Sequence, residues 1–119
     1  MDKVNLTAKF AVIDQQWSPK IVGEVGDVHV KLAKIQGEFV WHSHEVEDEM
    51  FLVVKGRMTV KLRDGDVNLA EGEFFIVPKG VEHCPVAIDE CQILMIEPKG
   101  TLNTGDAGGE RTVNEPERI

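Results

Sequence analysis

Tyrosine is absent from this chain of 119 residues, and aromatic residues of all kinds make up only 6% of it. Any mechanism that depends on a tyrosine hydroxyl as general acid is therefore excluded. Basic residues are also few, since 13 Lys and Arg stand against 21 Asp and Glu and give a net charge of −8. Because Lys and Arg drive binding to phosphate backbones, this balance predicts that the chain has no nucleic-acid partner.

Long apolar runs and cysteines are scarce as well. No segment approaches the roughly 18 apolar residues of a membrane-spanning helix, and the first residues lack the apolar core of a secretion signal. We therefore expect a cytoplasmic protein with no membrane partner. The two cysteines, Cys84 and Cys91, could pair across a hairpin, but in the cytoplasm we expect two reduced thiols packed as small apolar groups.

Short runs in which every second residue is apolar are abundant, and this is the pattern of β-strands. The pair Asp64-Gly65 lies between two such runs and is typical of a tight hairpin turn. The pattern predicts an all-β sandwich or barrel with strands at 20–25, 27–35, 38–44, 49–55, 57–63, 67–70, 73–78, 83–88 and 91–98.

The length of the chain fits a single domain, 1–119. We expect its barrel core over 20–98, preceded by an N-terminal arm, 1–19. Residues 100–119 are rich in Gly, Asn, Thr and charged side chains, which predicts a polar tail. Such a tail either lies over the surface of the domain or is poorly ordered.

Three of the histidines and one glutamate form a candidate metal site. Residues two apart in a strand point to the same side, so His42 and His44 would project together. Alternation places Glu49 on the same side as Phe51, and His83 follows a sharp turn through a glycine. Three neutral imidazoles and a carboxylate suit one divalent Fe, Mn, Ni, Zn or Cu ion. The alternative is an exposed histidine pair in an acidic loop, with His83 a core histidine.

The neighbouring residues leave two further alternatives open. Glu45, Glu47 and Asp48 could form a solvated acidic face, and one of them could bind the metal in place of Glu49. The fourth histidine, His29, alternates with valines and shares its side of the strand with a lysine. We expect His29 on the polar side of its strand rather than among the ligands.

Two motifs carry a resemblance to a known family. The first is Gly-x4-His-x-His-x4-Glu-x6-Gly from Gly37 to Gly56, and the second is Gly-x5-Pro-x-Gly-x2-His from Gly72 to His83. In these motifs and their separation by 15 residues, the chain resembles the small single-domain cupins over 20–98. Two positions depart from the family pattern: Gly37 is one residue closer to the histidines, and Ala87 replaces the closing Asn of the second motif.

The resemblance implies an all-β jelly-roll barrel, the cupin double-stranded β-helix. It also implies one divalent transition metal per chain, with the ligands His42, His44, Glu49 and His83. A metal-dependent enzyme that acts on a small molecule inside the barrel is the function it favours, by dioxygenase-type or isomerase-type chemistry. The alternative is a non-catalytic module that binds or senses a small molecule or a metal, because one fold hosts many functions.

Sugar-phosphate isomerisation, a label that similar small cupins often carry, is a further alternative. It requires capture of a phosphate dianion, and the candidate cations near the motifs are few: Lys55, Arg57, Arg63 and Lys79. We therefore favour a neutral or weakly charged substrate.

The aromatic residues beside the histidines predict an assembly. Alternation sends Phe39 and Trp41 to the side opposite the histidines, so both would lie on the outside of a small barrel. An outward apolar stripe favours a homodimer. The alternative is that Trp41 packs beneath the N-terminal segment or the tail.

Overall fold

The computed structural model describes residues 2–119 and confirms the all-β class. One short helix precedes seven strands. The elements are α1 (Leu6–Ala11), β1 (Lys20–Val25), β2 (Val28–Glu38), β3 (Glu49–Lys55), β4 (Arg57–Leu62), β5 (Gly65–Ala70), β6 (Phe74–Val77) and β7 (His83–Pro98). In residues 2–119, no helix has the length and apolar character that crossing a membrane requires.

The long strand β7 joins two sets of strands. Its first part pairs with β4, from His83 opposite Leu62 to Val86 opposite Thr59. Its second part pairs with β3, and β2 runs antiparallel along most of its length. The resulting order is β1-β2-β7-β3-β6, with β4 and β5 joined to the first part of β7. Because the β2–β7 pair runs past both sets of strands, the strands wrap around one interior.

The core inside the strands is built from alternating apolar residues, as the sequence pattern predicts. The buried members come from six strands, and they are Ala33, Ile35, Phe51, Val53, Met58, Val60, Leu69, Val77, Ala87, Cys91, Ile93 and Met95. Both cysteines are buried and unpaired, in agreement with the expected reduced thiols. Burial raises the pKa of Cys91 to about 11.

Two of the strand predictions were wrong. Residues 39–44 do not form a strand, because among them only His42 forms a β-bridge with another segment. The separate strands predicted at 83–88 and 91–98 are one strand. Residues 88–90 are exposed but remain extended, and they bulge from the ladder, since these three residues of β7 lie opposite Gln36 alone in β2. The hairpin at Asp64 forms with Arg63 and Asp64 as the two loop residues, one position before the predicted pair.

The helix α1 was not predicted, since a helix of six residues carries little periodicity. Asn5 caps it by accepting a hydrogen bond from the Ala8 amide at 2.9 Å. Phe10 buries its ring in a second apolar cluster with Ile13 and Leu32 on the outer face of β2. The arm before β1 is thereby fixed to the barrel.

The polar tail lies over the surface of the barrel. The Asp106 carboxylate accepts hydrogen bonds from the Ser43 amide at 2.8 Å and the Ser43 hydroxyl at 3.2 Å. Thr104 is fully buried, and near the end of the tail Arg118 forms an ion pair with Glu24 at 2.9 Å. The tail is therefore bound at several points along its length.

The prediction that Phe39 and Trp41 form an outward stripe was wrong for Phe39, which is buried and lies on the inside next to His42, with ring centroids 5.6 Å apart. Phe39 stacks on Trp17 of the arm with ring centroids 4.7 Å apart, and the Arg63 guanidinium lies 3.8 Å from the ring of Trp41. The stripe therefore gives no support to the expected homodimer. Other apolar side chains are exposed on the outer face of β6, where Phe74 and Ile76 are 59% and 49% exposed. The homodimer stays a prediction, which light scattering can test.

Gly105 is a position where the backbone of the tail lies close against the barrel. Its φ is +51°, and a Cβ there would stand 2.3 Å from the Ser43 carbonyl oxygen. We expect Gly105→Ala to destabilise the protein beyond the roughly 1–2 kcal/mol of a left-handed residue, because the backbone must also move apart. Gly108→Ala is the matched control, since Gly108 has a φ of +62° and open space around it. Equal midpoints of urea unfolding for the two variants would contradict this close approach.

Candidate metal centre

Backbone pairing brings the two motifs together. His42 and His83 form an antiparallel bridge in which each amide donates to the other's carbonyl, at 3.0 and 2.9 Å. The Gly80 amide donates to the His44 carbonyl at 2.7 Å, which fixes the turn before β7 against the second histidine. Glu49 is the first residue of β3 and points into the interior. Residues far apart in the chain thus converge at one end of the barrel.

The four side chains of His42, His44, Glu49 and His83 form a tight cluster, called the His/Glu cluster below. All four are buried, and one ligand atom from each lies within 4.8 Å of the others. The Glu49 Oε1 atom is 3.5 Å from His44 Nε2 and 3.4 Å from His83 Nε2. Atoms bound to one ion at about 2.1 Å stand about 3–4 Å from each other, so this spacing suits a metal ion.

Hydrogen bonds fix the orientation of two of the rings. Nδ1 of His42 donates to the Val40 carbonyl at 2.8 Å, and Nδ1 of His83 donates to the Val81 carbonyl at 2.9 Å. These contacts leave each Nε2 as a lone-pair donor directed at the centre of the cluster.

The atoms at the centre of the cluster have no hydrogen-bond partner. Nε2 of all three histidines and Oε1 of Glu49 are buried without one in residues 2–119. Buried polar atoms are costly when unpaired, and a metal ion would satisfy all four at once. The residues present therefore fit a divalent transition metal, although the donor set does not select among Fe, Mn, Ni, Zn and Cu.

Burial and charge together set the protonation of the cluster. Burial lowers the pKa of His42 to about 4, which keeps this ring neutral. Burial would also lower the pKa of His44, but the adjacent Glu49 carboxylate outweighs it and raises that pKa. Burial would raise the pKa of Glu49, but contacts with Glu97, His44 and His83 hold it below its usual range. The site thus offers a carboxylate and at least one neutral imidazole.

The alternative ligands weighed from the sequence lie outside the cluster. Glu45 is exposed, Glu47 approaches only the outer Nδ1 of His44 at 3.9 Å, and Asp48 accepts a hydrogen bond from the Lys79 amide. His29 lies away from the cluster as well, although it is buried rather than on a solvated face. The polar side of β2 points inward near the tail, where Arg118 covers His29.

Sequence reasoning missed a buried ion pair beside the cluster. The Lys31 ammonium is 2.7 Å from Glu97 Oε1, and both side chains are buried. Burial and the neighbouring Glu49 carboxylate raise the pKa of Glu97 well above its ordinary value. Alternation in "CQILMIEP" was the available signal, because Glu97 shares its parity with the inward residues Ile93 and Met95.

A cavity opens beside the His/Glu cluster. It is partly open to solvent and reaches His42, Glu49 and Glu97. Most of its wall is apolar, with Trp17, Pro19, Ala33, Ile35, Phe39, Phe51, Pro85, Ile93 and Met95, and Asn103 of the tail completes it. Nothing in the sequence indicated that Trp17 and Asn103 would line it, because they come from the arm and the tail.

Comparison with known proteins gives concordant findings. The family described as "Cupin domain" matches residues 28–97. The crystal structure of a cupin-2 domain containing protein from Shewanella frigidimarina NCIMB 400 is 45% identical with a TM-score of 0.80, covering 81% of this chain and 94% of that chain. The protein YdbB of Bacillus subtilis (strain 168) is 31% identical over 80 residues, 66% of this chain and 71% of its own.

One relative carries the name of an enzyme. A 3-hydroxyanthranilate 3,4-dioxygenase of Ruegeria pomeroyi is 40% identical over 72 residues, which are 56% of this chain. The match spans only 39% of that dioxygenase.

The opposite pKa shifts of two cluster histidines can be measured in the metal-free protein. On acidification we expect His44 to bind a proton first, above its ordinary pKa of 6.5, while His42 stays neutral to about pH 4. His42 lowers the stability of the folded state as the pH falls below 6.5, because the unfolded chain binds that proton more readily. His44 has the opposite effect: its protonated ring stabilises the folded state, and this stabilisation is lost as the pH rises through the raised pKa. Imidazole NMR titration measures both, and a higher pKa for His42 than for His44 would contradict this electrostatic account.

Proposed function

Since this chain belongs to the cupin family, we propose that it is a metal-dependent enzyme of the dioxygenase type that acts on a small, largely apolar molecule inside the barrel. The observation that carries the proposal is the set of four unpaired buried donor atoms beside an apolar cavity. The partial likeness to a 3-hydroxyanthranilate dioxygenase supports it.

Two groups of residues would have different roles, one in binding the metal and the other in excluding water. The His/Glu cluster would hold one divalent metal, which would supply a Lewis acid with open coordination positions next to the cavity. Trp17 and Phe39 close the wall with a stacked pair of rings, which keeps water from the substrate. Oxidative cleavage of an aromatic diol places both atoms of dioxygen in the product and takes all four electrons from the substrate, so the cavity would have to admit only substrate and dioxygen.

The cavity supports this chemistry better than sugar-phosphate isomerisation. None of the described residues that line it is Lys or Arg. Of the cations considered from the sequence, Arg63 is engaged by Trp41 and by Glu82. A phosphate dianion would therefore enter an apolar, partly acidic chamber with no cation on its wall.

Metal content tests the site itself. We expect protein purified without an affinity tag to carry close to one transition metal ion per chain, and the His42→Ala, His44→Ala double variant to lose most of it. His29→Ala is the matched control, because His29 is a buried histidine outside the His/Glu cluster and that variant should keep the metal. Elemental analysis measures all three. Native protein without metal, or equal loss in the control, would refute the site.

Oxygen uptake tests the reaction. We expect the metal-loaded protein to consume dioxygen with at least one of 3-hydroxyanthranilate, catechol and hydroquinone, and the double histidine variant to consume none. An oxygen electrode records the uptake, and mass spectrometry of the product after reaction under labelled dioxygen should find both atoms incorporated. A substrate that raises the melting temperature without being consumed would instead indicate a binding module.

A further inference from the structure

The ring of His44 is held differently from the other two histidine rings of the His/Glu cluster. His42 and His83 each donate from Nδ1 to the carbonyl of the residue two positions earlier, at 2.8 and 2.9 Å. The corresponding carbonyl for His44 is that of His42, and it already accepts the His83 amide at 2.9 Å in the backbone bridge. The device that orients two of the rings is therefore not repeated at the third.

An acidic side chain faces Nδ1 of His44 instead. Oε1 of Glu47 lies 3.9 Å from this nitrogen, which is longer than a hydrogen bond. The Glu47 side chain is 24% exposed and lines an open surface pocket together with His44. A partly exposed side chain of this length can move the roughly 1 Å that separates this contact from a hydrogen bond.

The other acids beside His44 are placed differently. Both carboxylate oxygens of Asp106 accept hydrogen bonds from Ser43, and the Asp48 carboxylate accepts one from a backbone amide at 2.9 Å. Glu45 is exposed to solvent. Among these acids, Glu47 combines a position at the histidine ring with a carboxylate that is not held by another group of residues 2–119.

Charge balance favours a second carboxylate at the cluster. A divalent ion bound by three neutral imidazoles and the Glu49 carboxylate would leave one positive charge in a buried site. Buried charge is costly unless an opposite charge lies close to it. The Glu97 carboxyl nearby is already paired with the Lys31 ammonium at 2.7 Å. A carboxylate hydrogen-bonded to the outer nitrogen of His44 would supply the missing negative charge.

From this geometry we propose that Glu47 is a positioning residue, whose carboxylate accepts a hydrogen bond from Nδ1 of His44 when a metal ion occupies the His/Glu cluster. The hydrogen bond fixes the ring with Nε2 directed at the ion and increases the basicity of that nitrogen. This role of Glu47 rests on the proposed metal site, and it is distinct from that of a ligand, since Glu47 acts through His44.

Zinc affinity measures the contribution of Glu47. In competition with a chelator, we expect Glu47→Ala to weaken Zn²⁺ binding about tenfold or more, the usual effect of removing the outer partner of a metal-binding histidine. Glu47→Gln should retain part of the affinity, because its amide oxygen still accepts the hydrogen bond. Glu45→Ala is the matched control: it removes the same charge from an exposed position of the same loop and should stay within about twofold of wild type.

A double-mutant cycle with His44 tests the route of the effect. Three ligands remain in His44→Ala, and in that background we expect Glu47→Ala to change the Zn²⁺ dissociation constant by less than about twofold. The proton on Nδ1 of His44 gives a second measurement. In Zn²⁺-loaded protein, ¹⁵N NMR should show it exchanging more slowly with water in wild type than in Glu47→Ala. Melting temperatures of the metal-free variants establish that each one folds.

The outcomes separate the role of Glu47 from the proposed function. If the wild-type protein binds no metal ion, both fail at the first measurement. If wild type binds Zn²⁺ and Glu47→Ala binds it as tightly as Glu45→Ala does, the role of Glu47 is refuted while the metal site stands. If Glu47→Ala weakens binding equally with and without the His44 ring, Glu47 acts independently of that ring, and its positioning role is overturned.

Discussion

The cost of removing polar atoms from water is the constraint around which this cupin is organised. Three imidazole nitrogens and one carboxylate oxygen face each other in the interior without hydrogen-bond partners among residues 2–119. A cluster of this kind is tolerable when something satisfies all its members together. The backbone bridge between His42 and His83 and the two Nδ1 contacts hold the donor atoms in place, so a metal ion would bind with little rearrangement of the chain.

The cavity beside the cluster has a polar side and an apolar side. At one side are the donor atoms and the Lys31–Glu97 pair, and at the other are stacked rings and aliphatic side chains. Both ends of the chain complete its wall, since Trp17 comes from the arm and Asn103 from the tail. Neither segment contributes to the barrel strands, yet each supplies a side chain to the cavity wall.

The features that the sequence predicted correctly are those set by residues close together in the chain. Period-two alternation predicted the all-β class and the shared direction of His42 and His44, and motif spacing predicted which of four nearby acids joins them. Alternation alone could not show that residues 39–44 lack a strand partner, because pairing depends on a segment distant in the chain. The inward position of Glu97 followed the same parity rule but went unnoticed, since a charged residue at a strand end is usually solvated. The contacts of Trp17 and the tail arise from tertiary packing that has no sequence period.

The length of β7 limits which insertions and deletions this chain can accept. A single strand of 16 residues holds His83 at its first position and Glu97 near its last, and both point inward. Side chains alternate with a period of two, so one residue inserted or deleted between them would turn one of the two outward. The outcome would be a barrel with His83 or Glu97 facing solvent. Insertions along this strand should therefore occur in pairs or as a bulge that restores the parity, even though its middle residues 88–90 are exposed.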